Sequence, residues 1–212
     1  MTRRTLVVLA AAALVGALAG CGGPAPAATS TAALSAAPTP AGTYRGLQLD
    51  PAQPRPTFTL VDTAGDRFDF AARTRGRPTL LFFGFTHCPD VCPTTMADVA
   101  SALRGVAEPL RSTVRVVFVT TDPARDSGRV LAGWLRSFDA GLPARFVGLT
   151  GTVPQVQAAQ AAARVPVATD GGQTHSAELL LYGPDDYARV AYVAGSTPED
   201  IRHDLPLVLR GA

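Results

Sequence analysis

Thr79-Leu80-Leu81-Phe82-Phe83-Gly84-Phe85-Thr86-His87-Cys88-Pro89-Asp90-Val91-Cys92-Pro93 is the stretch on which the fold turns. The run Thr79 to Phe85 is apolar on both faces, the pattern of a central strand in a sheet covered on both sides. Two cysteines four apart follow at once. Beyond them Met96, Val99, Leu103, Val106 and Leu110 recur at spacings of three and four, which predicts a helix to about Arg111. A buried strand thus delivers a cysteine pair to a helix start, where metals and disulfides are handled. With the helix beginning at or near Cys88, residues four apart share a face with about 5 to 6 Å between Cβ atoms, so both sulfurs turn toward one ion. A disulfide, which needs Cα atoms about 4.4 to 6.8 Å apart, is equally allowed. Spacing alone admits copper, zinc or redox exchange.

Alternating elements surround this stretch. Phe58-Thr59-Leu60-Val61-Asp62 and Arg67-Phe68-Asp69-Phe70 flank Thr63-Ala64-Gly65-Asp66 and predict a short hairpin. Val114 to Thr120 is a second fully apolar strand, and Leu131, Trp134, Leu135 and Phe138 mark a helix. Arg145 to Leu149 predicts a strand and Val153 to Arg164 a helix. Ala177 to Tyr182 and Ala188 to Val193 are two strands joined by the turn Gly183-Pro184-Asp185-Asp186. Ser196-Thr197-Pro198-Glu199 opens the last helix, with its proline in the first turn. Periodicity predicts a three-layer α/β sandwich with an N-terminal β-hairpin.

The N-terminus predicts where the protein works. Met1-Thr2-Arg3-Arg4, an apolar stretch from Leu6 to Leu18 and Leu18-Ala19-Gly20-Cys21 have the order of an export signal. About 13 to 14 apolar residues fall short of the ~20 that span a bilayer. The cysteine at the cut is similar to a bacterial lipoprotein box, which implies cleavage before Cys21 and a diacylglycerol on its sulfur. Residues 1–20 are then a signal peptide, 21–56 a lipidated Ala/Pro-rich tether too poor in aromatic residues to fold, and 57–212 one compact domain. The expected location is the extracytoplasmic face of the bacterial cell membrane.

On cleavage the 19 basic residues lose Arg3 and Arg4 and equal the 17 acidic ones. No lysine occurs. A near-neutral chain without a basic stripe offers no electrostatic footprint for nucleic acid, and none is expected as a partner.

Gly84-Phe85-Thr86-His87-Cys88-Pro89-Asp90-Val91-Cys92-Pro93-Thr94 resembles the signature of the SCO/SenC family, whose members serve in cytochrome c oxidase assembly. Two further stretches match in order. Val119-Thr120-Thr121-Asp122-Pro123-Ala124-Arg125-Asp126 resembles the family's Asp-Pro-x-Arg-Asp loop, and Thr174-His175-Ser176 stands where the family carries its histidine. The likeness spans roughly Phe58 to Leu209. It implies a thioredoxin-like fold and a copper site made by Cys88, Cys92 and His175, a donor set that suits copper because thiolates favour Cu(I) and imidazole either state. One departure stands out: the family usually has an acidic residue before the histidine, and here it is Thr174.

Each residue also has a plainer reading. The cysteine pair is a structural disulfide if exported and oxidised, and His175 an ordinary loop histidine. His87 is expected to point away from the pair and His203 to be solvated. Asp90 either tunes the site or simply starts a helix. Asp122, Arg125 and Asp126 are expected to form an internal ion-pair cluster, Trp134 to be core, and Gly171-Gly172 to loosen the loop before His175. No catalytic residue is assigned. Two functions compete: a membrane-tethered chaperone delivering copper to the dinuclear copper centre of cytochrome c oxidase subunit II, and a thiol-disulfide oxidoreductase cycling Cys88 and Cys92. Zinc is disfavoured, since only three protein ligands and no general base can be named.

Overall fold

The strand Thr79–Gly84 is buried along its whole length and lies in the middle of an eight-stranded sheet. The computed structural model describes residues 43–210. In chain order the strands are β1 Leu47–Pro54, β2 Thr59–Asp62, β3 Arg67–Asp69, β4 Thr79–Gly84, β5 Arg115–Thr120, β6 Val147–Thr150, β7 Leu179–Tyr182 and β8 Tyr187–Tyr192. They lie side by side as β1-β8-β7-β4-β5-β6-β2-β3. Strands β4, β5 and β6 are parallel, whereas β7 runs antiparallel to β4.

Alternation along β4 splits the core into two layers. Leu80 and Phe82 pack with Met96, Val99 and Leu103 of α2 (Val91–Arg104), Leu131 and Leu135 of α4 (Gly128–Asp139), and Ile201 and Leu205 of α6 (Pro198–Leu209). Leu81 and Phe83 face Phe70 of the short α1 (Phe70–Thr74) and Val156 and Ala159 of α5 (Val153–Ala162). Helices on both faces of a mixed sheet make the three-layer α/β sandwich, and the predicted hairpin is β2 with β3. Trp134 is partly buried against the first layer, its ring 4.9 Å from Phe118 and 4.8 Å from Phe138.

Local chemistry sets the helix ends. Thr152 with Gln155 and Thr197 with Asp200 form reciprocal capping boxes at α5 and α6, each followed by a proline in the first turn. The long helix predicted after Cys92 stops sooner than expected. It ends at Arg104, Gly105 caps it, and Leu110–Thr113 forms a separate turn, α3.

Strand β1 corrects the expected tether, whose last residues it takes into the sheet. Pro51 and Pro54 made the segment read as linker, but an edge strand tolerates residues that cannot donate to a ladder, and β1 crosses a register irregularity between Gln48 and Gln53. Arg55 then lies buried, bonded to Asp186, Thr74 and the carbonyls of Arg77 and Gly183. The signal segment, Cys21 and the earlier part of the tether lie outside the described residues. Among those described, no helix is long and apolar enough to cross a membrane.

Candidate metal centre

Three segments meet at one end of the central strands. Cys88 sits in the bend between β4 and α2, Cys92 in the first turn of α2, and His175 in the extended segment before β7. Because β7 pairs with β4, with Phe82 opposite Leu179, the chain returns the histidine to the cysteines 83 residues later. The two sulfurs and an imidazole nitrogen all lie within 4.8 Å of one another, and His175 Nε2 is 3.5 Å from Cys92 Sγ. Both cysteines are free thiols.

The sulfurs converge by a route the spacing did not predict. The helix begins at Val91, so Cys88 precedes it and does not share a helical face with Cys92. Instead the bend folds back until the Cys92 backbone N–H donates to Cys88 Sγ at 3.4 Å. The sulfur thereby serves where a capping oxygen normally would. Asp90, at the capping position, makes no side-chain cap bond. Its carboxylate accepts only a long bond from Thr94 Oγ1, at 3.5 Å.

This placement separates the two thiols chemically. Partial burial raises the Cys88 thiol, but hydrogen bonds from the Cys92, Asp90 and Val91 backbone and from the Cys92 side chain outweigh it, so its pKa falls below the ordinary value. Cys92 goes the other way. Complete burial pushes its thiol far up, a backbone bond with Phe85 offsets only part of this, and the neighbouring Cys88 and Asp126 charges add to the rise.

His175 is held with one ring nitrogen toward the sulfurs. Its Nδ1 is 2.7 Å from the Ser176 carbonyl oxygen, which can only accept, so Nδ1 donates there and Nε2 is the nitrogen turned toward Cys92 Sγ. Edge-on contacts with Phe82 and Phe85, with ring centroids 6.2 and 5.5 Å away, fix its plane.

Backbone packing that periodicity cannot reveal supports the trio. A Cβ on Gly84 would come within 2.8 Å of Cys92 Sγ, so only glycine lets the sulfur rest on the strand end. A Cβ on Gly172 would collide with the Thr121 carbonyl, and Gly172 also has φ +93°. Far from loosening the loop, Gly172 is buried and clamped, as Thr121 Oγ1 donates to its carbonyl at 2.6 Å. Thr121 also ties back to β4, its N–H donating to the Gly84 carbonyl at 2.7 Å. The histidine loop and the cysteine strand therefore share one clamp.

The expected ion-pair cluster is divided. Asp122 pairs with Arg125, but the fully buried Asp126 accepts instead from the Thr86 N–H at 2.9 Å, the Thr86 hydroxyl at 2.5 Å and the Thr120 hydroxyl at 2.6 Å. Small hydroxyls at a strand end satisfy its charge, so Arg125 stays on the surface side. His87 is exposed, with Nδ1 3.5 Å from Asp126, and lies outside the three-ligand group. Thr174 Oγ1 donates to Asp170 at 2.8 Å. His203 is partly buried beside Asp204 rather than simply solvated, with Nδ1 2.8 Å from the carboxylate.

A family model described as SCO1/SenC matches residues 48–210. The chain belongs to the SCO1/SenC family. A relative from Stutzerimonas stutzeri named for copper binding is 34% identical over 160 residues, covering 73% of this chain and 76% of that protein. The human mitochondrial SCO2 homolog is 35% identical over 152 residues, covering 68% of this chain, and the chain spans only 55% of that protein's length. Among solved structures, copper-bound ScoI of Bradyrhizobium japonicum is 31% identical with a TM-score of 0.61, covering 73% of this chain and 99% of that one. The thioredoxin-like fold expected from the SCO/SenC resemblance thus accords with the layers, the strand order and a solved family member.

Proposed function

We propose that this SCO1/SenC chain is a copper chaperone tethered by Cys21 to the extracytoplasmic face of the cell membrane. It holds one copper ion through Cys88, Cys92 and His175 and passes it to the dinuclear copper centre of cytochrome c oxidase subunit II. The observation that carries this reading is the meeting of two thiols and an imidazole nitrogen within 4.8 Å. Two sulfurs suit Cu(I), and adding the imidazole suits Cu(II) as well, so one site serves both states. Cys88 is only partly buried, leaving an incoming ligand a side from which to approach.

Anaerobic copper titration of the reduced full-length protein in detergent tests this. We expect one copper per chain. His175→Ala should weaken Cu(II) binding by more than the about 10- to 100-fold typical of groups outside the ligand shell, while two-sulfur Cu(I) binding persists. No binding tighter than about micromolar in either state would overturn the reading.

The asymmetry of the thiols favours a second activity on the same atoms. The more acidic, accessible Cys88 thiolate attacks a target disulfide and expels one target sulfur as thiolate. Cys92 then loses its proton and attacks Cys88, releasing the second target sulfur. The Cys88–Cys92 disulfide forms as the target gains two electrons and two protons. His175 is dispensable for that exchange, so reductase activity surviving His175→Ala without metal binding would favour it.

A further inference from the structure

Beside the metal centre runs a groove of about 190 Å³ that the ligand set leaves unused. Its floor is Leu179, Tyr192 and Ile201, all buried. One wall is the first two turns of α2, beginning with Asp90 and Val91 between the two cysteines. Another is Ala177, two residues after His175, and the third is the turn Val193–Ser196 between β8 and α6. Both ligand-bearing segments therefore continue directly into its walls. Val91 and Val193 line the groove and are 39% and 42% exposed.

Its charge has one sign. Asp90 and Asp98 line it, no arginine does, and Glu199 lies close enough to add to the burial that raises the Asp98 carboxyl. Arg202, next in sequence to the floor residue Ile201, reaches away toward Gly105 and pairs with Glu199 at 3.5 Å. Apolar walls with an acidic rim complement a short segment that carries an apolar side chain next to arginine or lysine.

We propose that this groove docks such a basic-apolar segment of the protein that exchanges metal with the site. This deepens the chaperone reading, on which it rests. A segment seated between Val91 and Val193 enters alongside Cys88, the more accessible sulfur, so ligands flanking it meet the metal from the open side. Docking outside the ligand set lets recognition and coordination vary independently.

Selection of a random nonapeptide phage library on the full-length protein in detergent tests the proposal, followed by fluorescence polarisation with the winning peptide. The expected winners pair an apolar residue with arginine or lysine. Their affinity should fall at least about tenfold in Asp98→Lys and in Val193→Asp, as expected for a like charge or a buried charge placed at a docking site. Copper titration of both variants should match wild type, which separates a failed groove from a failed metal site. Acidic winners, no enrichment, or binding indifferent to both substitutions would overturn it. So would a peptide that binds only after residues 22–42 are deleted, which makes the chain's own segment the occupant, or a dimer abolished by Val193→Asp, which makes it a second copy.

Discussion

The cysteine turn and the histidine loop meet at one candidate metal centre but are held on different terms. Cys92 is fully buried on the end of β4, packed against Gly84 and anchored in a 14-residue helix. The loop from Thr169 to Thr174 is mostly exposed. It closes on itself through a Thr169–Thr174 bridge, and Asp170, Gly171 and Gly172 all have left-handed backbone, with φ of 51°, 66° and 93°. Only Gly172 reaches inward, to Thr121. The loop's hold on the rest of the molecule is thus concentrated in the Gly172–Thr121 contact, whereas β4 is buried along its whole length. The sulfurs sit at the strand end and helix start, and the imidazole is an arm set by the Gly172–Thr121 clamp.

The comparison breaks most visibly at the sulfurs themselves. In the metal-free protein, iodoacetamide should alkylate Cys88 at least about 100-fold faster than Cys92, since a thiolate reacts and a buried thiol does not. Peptide mapping of a time course reads the ratio, and equal rates would contradict the inequality of the two thiols. On the other side, Gly172→Ala forces a side chain into the Thr121 carbonyl and should displace the arm while sparing the turn. We expect Cu(II) affinity to drop about 10- to 100-fold with Cu(I) affinity nearly unchanged, the signature of losing positioning alone. Equal losses in both states would mean that the two regions are not separable.

Proton release sharpens the same contrast. A thiol must lose its proton to ligate, so log affinity rises by about one per pH unit for each thiol still protonated in the free protein. Below the lowered Cys88 pKa both sulfurs contribute and the Cu(I) slope is about two; above it only Cys92, whose pKa is raised, contributes and the slope falls to about one. Affinity thus increases with pH throughout, and Cu(I) competition titrations across pH should show one break. A single unbroken slope would refute the assignment. The smallest effect belongs to Thr121→Val, which removes one hydroxyl from the clamp. It should cost about 1 kcal/mol of stability in denaturant melts, with Cu(II) binding weakened only a few-fold.

Much of the cysteine side was legible in the sequence, because its information is local. An uninterrupted apolar run, a cysteine pair and a three-four periodicity specify strand, turn and helix within 32 residues. The helix start misled by three residues, since Cys88 Sγ took the capping role and let the chain bend first. The histidine side was legible only through resemblance to the SCO/SenC pattern, because β7 brings it in by long-range pairing that no periodicity announces. Gly172 read as slack for a related reason. What forbids a side chain there is the Thr121 carbonyl, 51 residues earlier, whereas composition registers only a pair of glycines. Strand β1 was hidden by its prolines, which an outermost strand can carry.

Asp204 has a mechanical consequence. Its buried carboxylate accepts from the backbone N–H groups of Arg45 and Gly46, both at 2.9 Å, and from the Tyr192 hydroxyl at 3.2 Å. Any tension arriving along the polypeptide from before Tyr44 is therefore borne first by α6 and β8, neither of which carries one of the three candidate ligands. A pull entering there is spread over a helix and a strand before it reaches the turn that holds the two sulfurs.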